Sequence, residues 1–206
     1  RDWSSDVCSS DLDDFFPPLL RQIPDYPVVL FLSGNPKCLL QPSLAVVGSR
    51  KNSDYGRLCV RTLLNSNLQG FNIVSGLMTG IDAFAHQRAL SQGLSTVAVL
   101  GYGFDYLYPR SLANLKKQIL QSGGAIISEY APSLPPTAWR FPKRNRLVAG
   151  MSIATLVIEA ALKSGSLITA RLALDYNREV LAMPGPINQP LSAGVNTLIQ
   201  RGATPS

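Results

Sequence analysis

The stretch FPKRNRLVAGMSIATLVIEAALKSGSLITA, residues 141–170, decides the fold. It opens on a basic knot of Lys143, Arg144 and Arg146, with Arg140 just before it. The apolar run from Thr155 to Ile158 ends in Glu159 and reads as a buried parallel strand. Ser164-Gly165-Ser166 then makes a short flexible break, and a helical pattern begins. A strand that feeds a Gly/Ser turn and a helix N-terminus is a ready anion cradle, because the first N–H groups of a helix have no acceptor inside it.

The basic knot adds to this. After Pro142 the sequence RNRLVAGM takes helical spacing, with the proline at the start, where its missing N–H does no harm. Cations in a first helical turn oppose the helix dipole. No Asp or Glu lies between Glu129 and Glu159 to neutralise them. The arrangement therefore costs stability unless an anion sits nearby. A solvated charged turn is the plain alternative. The apolar segment that follows, and the second anion-type turn beyond it, favour a site.

The chain has 206 residues, 46% of them apolar, enough for one domain with a substantial core. No apolar run approaches a membrane span. Cys8, Cys38 and Cys59 have no metal-like spacing, and an odd number argues against a disulfide framework, so a reducing cytoplasm fits. Cys59 falls in a helical pattern and reads as core. The formal charge is +6; residues 1–12 hold one arginine against three aspartates, −2, which leaves +8 on the rest. A basic body suits a polyanionic partner. The opening RDWSSDVCSSDL, residues 1–12, lacks the basic start and apolar core of a secretory signal and reads as a non-native leader.

Residues 13–43 are rich in proline and read as a lead-in segment packed on the main body, with a short edge strand at 28–32. From Leu44 the texture changes. Strands are expected at 44–48, 71–76, 95–101, 125–130, 155–160 and 179–183. Helices are expected between them, at 54–68, 82–92, 111–121, 144–151, 166–176 and 194–202, the second capped by Asp82. This alternation means βαβ units: an α/β, doubly wound, mostly parallel sheet with helices on both faces. Small-residue turns leave four strands, GSR at 48–50, SGLMTG at 75–80, GYG at 101–103 and SGS at 164–166. Ligands of such sheets bind at the strand carboxyl ends near a switch point. With Arg50, Arg110 and Arg144 to Arg146 beside them, the turns point to one anionic-ligand crevice.

Several ordered motifs together resemble the DNA-processing protein A (DprA, or Smf) family. They are VVGSR with Ser53 and Tyr55-Gly56, SGLMTGID with Ala85-His86, LGYGFDYLYP, ISEY, FPKRNRLVAG, SGSLITA, and MPG before GVNTLIQRGA. The resemblance covers roughly residues 44–203. It implies an extended Rossmann-like domain, here 44–206, that binds single-stranded DNA, dimerises and loads the recombinase RecA during natural transformation in the cytoplasm. The family's N-terminal helical module and C-terminal winged helix are not read in this chain. Met78 and Leu112 depart from the family's usual alanine and asparagine.

The resemblance makes Arg50 of the Gly48-Ser49-Arg50 turn the leading phosphate contact and Arg110 the next. It places Lys143, Arg144, Asn145 and Arg146 as lining or bracing the same groove, with the Ser164-Gly165-Ser166 turn. Tyr102, Phe104, Tyr106, Tyr108, Trp139 and Phe141 are candidate base-stacking aromatics, with core packing the alternative for each.

No P-loop signature is present, no cofactor or metal is implied, and His86 reads as structural. The alternative is a nucleotide-binding or N-glycosidic-bond-cleaving enzyme that uses Glu159, although the motif PGGxGTxxE of such enzymes is not matched. Glu159 is expected instead to tie an arginine of the basic helix by a bidentate pair. A third reading is a protein-assembly module acting through Leu191 to Ile199.

Overall fold

The computed structural model describes residues 13–206 in full and residues 6–10 as backbone; residues 1–5 and 11–12 lie outside the described residues. Among the described residues one sheet has nine strands: β1 (Asp6–Ser10), β2 (Val29–Gly34), β3 (Ser43–Gly48), β4 (Asn72–Ser75), β5 (Ser95–Leu100), β6 (Ala125–Ser128), β7 (Ala154–Ile158), β8 (Glu179–Ala182) and β9 (Thr204–Pro205). The α-helices are α1 (Asp54–Leu63), α2 (Ile81–Ser91), α3 (Ala113–Gln121), α4 (Arg140–Gly150), α5 (Ser166–Asp175) and α6 (Ala193–Gln200).

The strand order is β1-β2-β6-β5-β4-β3-β7-β8-β9. Pairing is parallel from β6 to β9 and antiparallel where β2 meets β1 and β6. The chain steps outward from β3 to β6, then returns to lay β7 on the other side of β3. The carboxyl ends of β3 and β7 therefore flank the topological switch point.

Alternate residues of each strand feed opposite faces. In β3, Ala45 and Val47 meet the layer of α4 and α5, while Val46 meets that of α1 and α2. In β5, Val97 and Val99 join the first layer, and Ala98 and Leu100 pack under α2 and α3. The doubly wound expectation holds. Every residue of β7 is buried, which is why its sequence reads as one unbroken apolar run.

The lead-in packs on the main body and reaches its core: Phe16, Leu20 and Ile23 are at most 2% exposed and share a cluster with Leu147 to Ala149 of α4. Two local expectations change. The strand expected at 28–32 is not an edge: β1 pairs outside it, with Val7 opposite Leu32. Asp82 does not cap α2; Gly80, at φ 87°, holds that position and Asp82 falls in the first turn.

Candidate nucleic-acid interface

A cleft of about 380 Å³ opens at the β3/β7 switch point. One wall is the turn after β3, Gly48-Ser49-Arg50; the opposite wall is the turn from Ala161 through Ser164-Gly165-Ser166 into α5. Gly76, Met78 and Asp82 come from the β4–α2 turn, and Phe141, Pro142, Arg144 and Asn145 from α4. Three of the four small-residue turns thus converge. The fourth, at 101–103, backs the site: Tyr102 is buried and packs edge-on against Phe141 at 6.4 Å.

Arg50 and Lys163 are exposed at the mouth. Arg144 is the opposite case, only 3% exposed, and it donates to the carbonyls of Gly76, at 2.8 Å, and Val99. Burial pulls its guanidinium below the ordinary value, and Asp82 opposes that shift. Gly76 allows this approach: a Cβ there would stand 2.5 Å from Arg144 Nη2 and 2.8 Å from Asp82 Oδ2. Burial also pushes the Asp82 carboxyl up to about 6, against the pull of Arg144 and of the Met78 and Gly76 N–H groups. Asn145 ties α4 to the second wall, its Nδ2 donating to the Gly165 carbonyl at 3.3 Å.

Arg146 goes elsewhere. Two helical positions from Arg144, it faces the other side of α4. There it pairs with Glu129, just after β6, and with Asp25 of the lead-in at 3.3 Å. So Arg146 neither lines nor braces the cleft as expected. The basic knot is also not left unneutralised. Its anions are Asp82, Glu129 and Asp25, all outside the interval between Glu129 and Glu159. Lys143 is exposed, with Nζ 5.8 Å from the Trp139 ring centroid, and Arg110 is exposed; neither lines this cleft. A second hollow of about 350 Å³ adjoins it through Arg50, Phe141 and Pro142, and adds Tyr108.

Among the aromatics, Tyr102 and Phe104 are core, whereas Tyr106, Tyr108 and Trp139 are 36%, 42% and 59% exposed. Glu159 makes no pair with the basic helix. Its carboxylate accepts from the Ser53 N–H at 2.9 Å and from the Ser53 hydroxyl. His86 is fully buried; Thr96 donates its hydroxyl to the Ile73 carbonyl, so the 2.7 Å contact to Thr96 leaves His86 Nδ1 as donor. Burial drops its pKa to about 3, a neutral structural imidazole. Asp82 and Lys163 are the charged cleft residues that sequence reading left out. Their signals were available: an acid just past the SGLMTG turn, and a lysine just before SGS.

Fold and cleft together define a class, a Rossmann-like protein with an anion-suited cleft at the switch point of an extended sheet. The profile of the DNA recombination-mediator protein A family matches residues 8–206, and the chain belongs to that family. It is 47% identical over 194 residues to Protein Smf of Escherichia coli K12, covering 92% of this chain and 51% of Smf. The chain thus spans about half the length of that relative. The X-ray structure of DNA processing protein A (DprA) from Streptococcus pneumoniae matches with a TM-score of 0.93 at 41% identity, over 100% of this chain and 72% of that one. DNA processing protein A from Helicobacter pylori, described for its unique single-stranded DNA binding mode, matches with a TM-score of 0.83 at 32% identity, over 96% of this chain and 90% of that one.

Proposed function

We propose that this chain is a single-stranded DNA-binding module that protects incoming DNA during natural transformation and loads RecA onto it. The observation that carries the reading is the convergence of Arg50, Lys163 and the Ser164–Ser166 turn on one cleft backed by Arg144. Phosphates lie at the mouth, on the two exposed cations beside the Ser164–Ser166 turn. Asp82 keeps them off the floor. Phe141, Tyr108 and the exposed Trp139 offer faces to bases without reading their sequence. Lys143 and Arg110 act as outlying cations that steer the strand.

The test is anisotropy of a labelled 20-mer oligothymidine across a salt series, with Arg50→Ala and Lys163→Ala. Each variant should bind more weakly, and the slope of log K against log salt should flatten by about 0.7 per phosphate contact removed. Unchanged affinity and slope in both variants would take the cleft out of consideration.

We read the chain as a binding protein rather than an enzyme. The names of its relatives carry no catalytic activity, and Glu159, the acid the nucleotide-cleaving alternative needs, is engaged by Ser53 and lies outside the cleft. We assign self-association to a separate groove between α5 and α6, where Leu162, Ile168 and Leu174 are 65%, 42% and 54% exposed.

A further inference from the structure

Glu159 combines three features that seldom occur together. It is 5% exposed, it carries a charge-bearing side chain, and its backbone sits at φ 56°. A side chain larger than Asn rarely adopts that left-handed conformation, and the surroundings must hold it there. What holds it is Ser53, through the N–H at 2.9 Å and the hydroxyl. The same hydroxyl accepts the Gly56 N–H at 3.2 Å, as the N-cap of α1. Gly56 is a glycine because a Cβ would stand 2.2 Å from Glu159 Oε2.

The position of this link matters more than its strength. Ser53 closes the loop that begins after β3 and carries Ser49 and Arg50. Glu159 is the first residue after β7 and leads directly into the turn from Ala161 to Ser166. These are the two walls of the cleft, and β3 and β7 are paired neighbours, with Gly48 opposite Ile158. One side chain outside the cleft lining therefore fastens its two walls together.

We propose that Glu159 is a positioning residue for single-stranded DNA binding: its hold on Ser53 fixes Arg50 relative to the Lys163–Ser166 turn, and so sets the width of the phosphate cleft. This rests on reading the cleft as a phosphate site. A loop already ordered in the free protein does not have to be ordered again by the ligand. Cutting the link transfers that cost to binding and blunts the contribution of Arg50 in particular.

The test is a double-mutant cycle on the whole chain, read by anisotropy with the 20-mer oligothymidine. Glu159→Gly removes the carboxylate while leaving the left-handed backbone at no cost. Arg50→Ala removes the cation. Glu159→Gly should weaken binding about 10-fold with the circular dichroism spectrum retained, and Arg50→Ala should cost several-fold less in the Glu159→Gly background than in the wild type. If Glu159→Gly does not fold, Glu159→Gln, which keeps the shape but offers one acceptor oxygen fewer, is measured in the same cycle with the same expectation. Equal losses for Arg50→Ala in both backgrounds, or wild-type affinity in Glu159→Gly, would overturn the proposal. If Arg50→Ala has no effect even in the wild type, the phosphate reading itself fails and takes this inference with it.

Discussion

Asp82 sits on the floor of a cleft whose other polar groups invite an anion. Its carboxyl titrates near pH 6, because burial outweighs the pull of Arg144. Above that pH its charge repels a phosphate at the mouth; below it the repulsion is gone. His86, with a pKa of about 3, stays neutral across the range. Affinity for oligothymidine should therefore rise as pH falls from 7 to 5.5, and Asp82→Asn should bind more tightly at pH 7 and lose that pH dependence. A wild type indifferent to pH, or a variant that still responds, would contradict this role. At this scale the sequence reveals local patterns and hides distant ones. Arg50 and the Ser164-Gly165-Ser166 turn stood out because their signal lies within a few residues. Arg144 also stood out, but its acceptors, the carbonyls of Gly76 and Val99, are tens of residues away. For the same reason Ser53, not an arginine, was the partner of Glu159.

Helix α4 carries two arginines with two different tasks. Arg144 turns toward the β4–α2 turn and the cleft; Arg146 turns toward β6 and the lead-in. The Arg146–Glu129 pair is buried, with side chains 8% and 10% exposed. Removing Glu129 leaves the buried Arg146 guanidinium with only the more exposed Asp25 as an anion, so Glu129→Ala should lose about 3 kcal/mol in urea unfolding. Oligothymidine affinity of the folded protein should stay within about twofold. A loss under 1 kcal/mol, or a large drop in affinity, would show that the two arginines are not separable in this way. The elements themselves were legible wherever a strand is buried on both faces, as in β5 and β7, or a helix is set off by glycine. Strand β2 was placed at an edge because its partner β1 has no periodic pattern of its own. The lead-in was read as packed on the body, but its core residues, Phe16, Leu20 and Ile23, could not be singled out because they are scattered among prolines and carry no period.

A net charge of +6 favours any polyanion at long range, so bulk electrostatics cannot by itself locate the DNA. Self-association is a second property of the whole molecule. If the α5–α6 groove joins two copies, sedimentation velocity should give a concentration-dependent dimer that Leu174→Arg converts to monomer; a strict monomer at every concentration would remove that assignment. The doubly wound topology and one crevice built from the turns were readable from alternation and turn composition, whereas which three of the four turns share the cleft needed the strand order, which a single sequence does not carry. The central claim is that single-stranded DNA is held in the cleft between β3 and β7. The most direct measurement is photo-cross-linking of an oligonucleotide carrying 5-bromodeoxyuridine, followed by mass-spectrometric mapping. Cross-links are expected on the peptides that contain Arg50, Phe141 to Asn145 and Lys163 to Ser166. Cross-links confined to the outer faces of α1 and α3, with none on those three peptides, would contradict it.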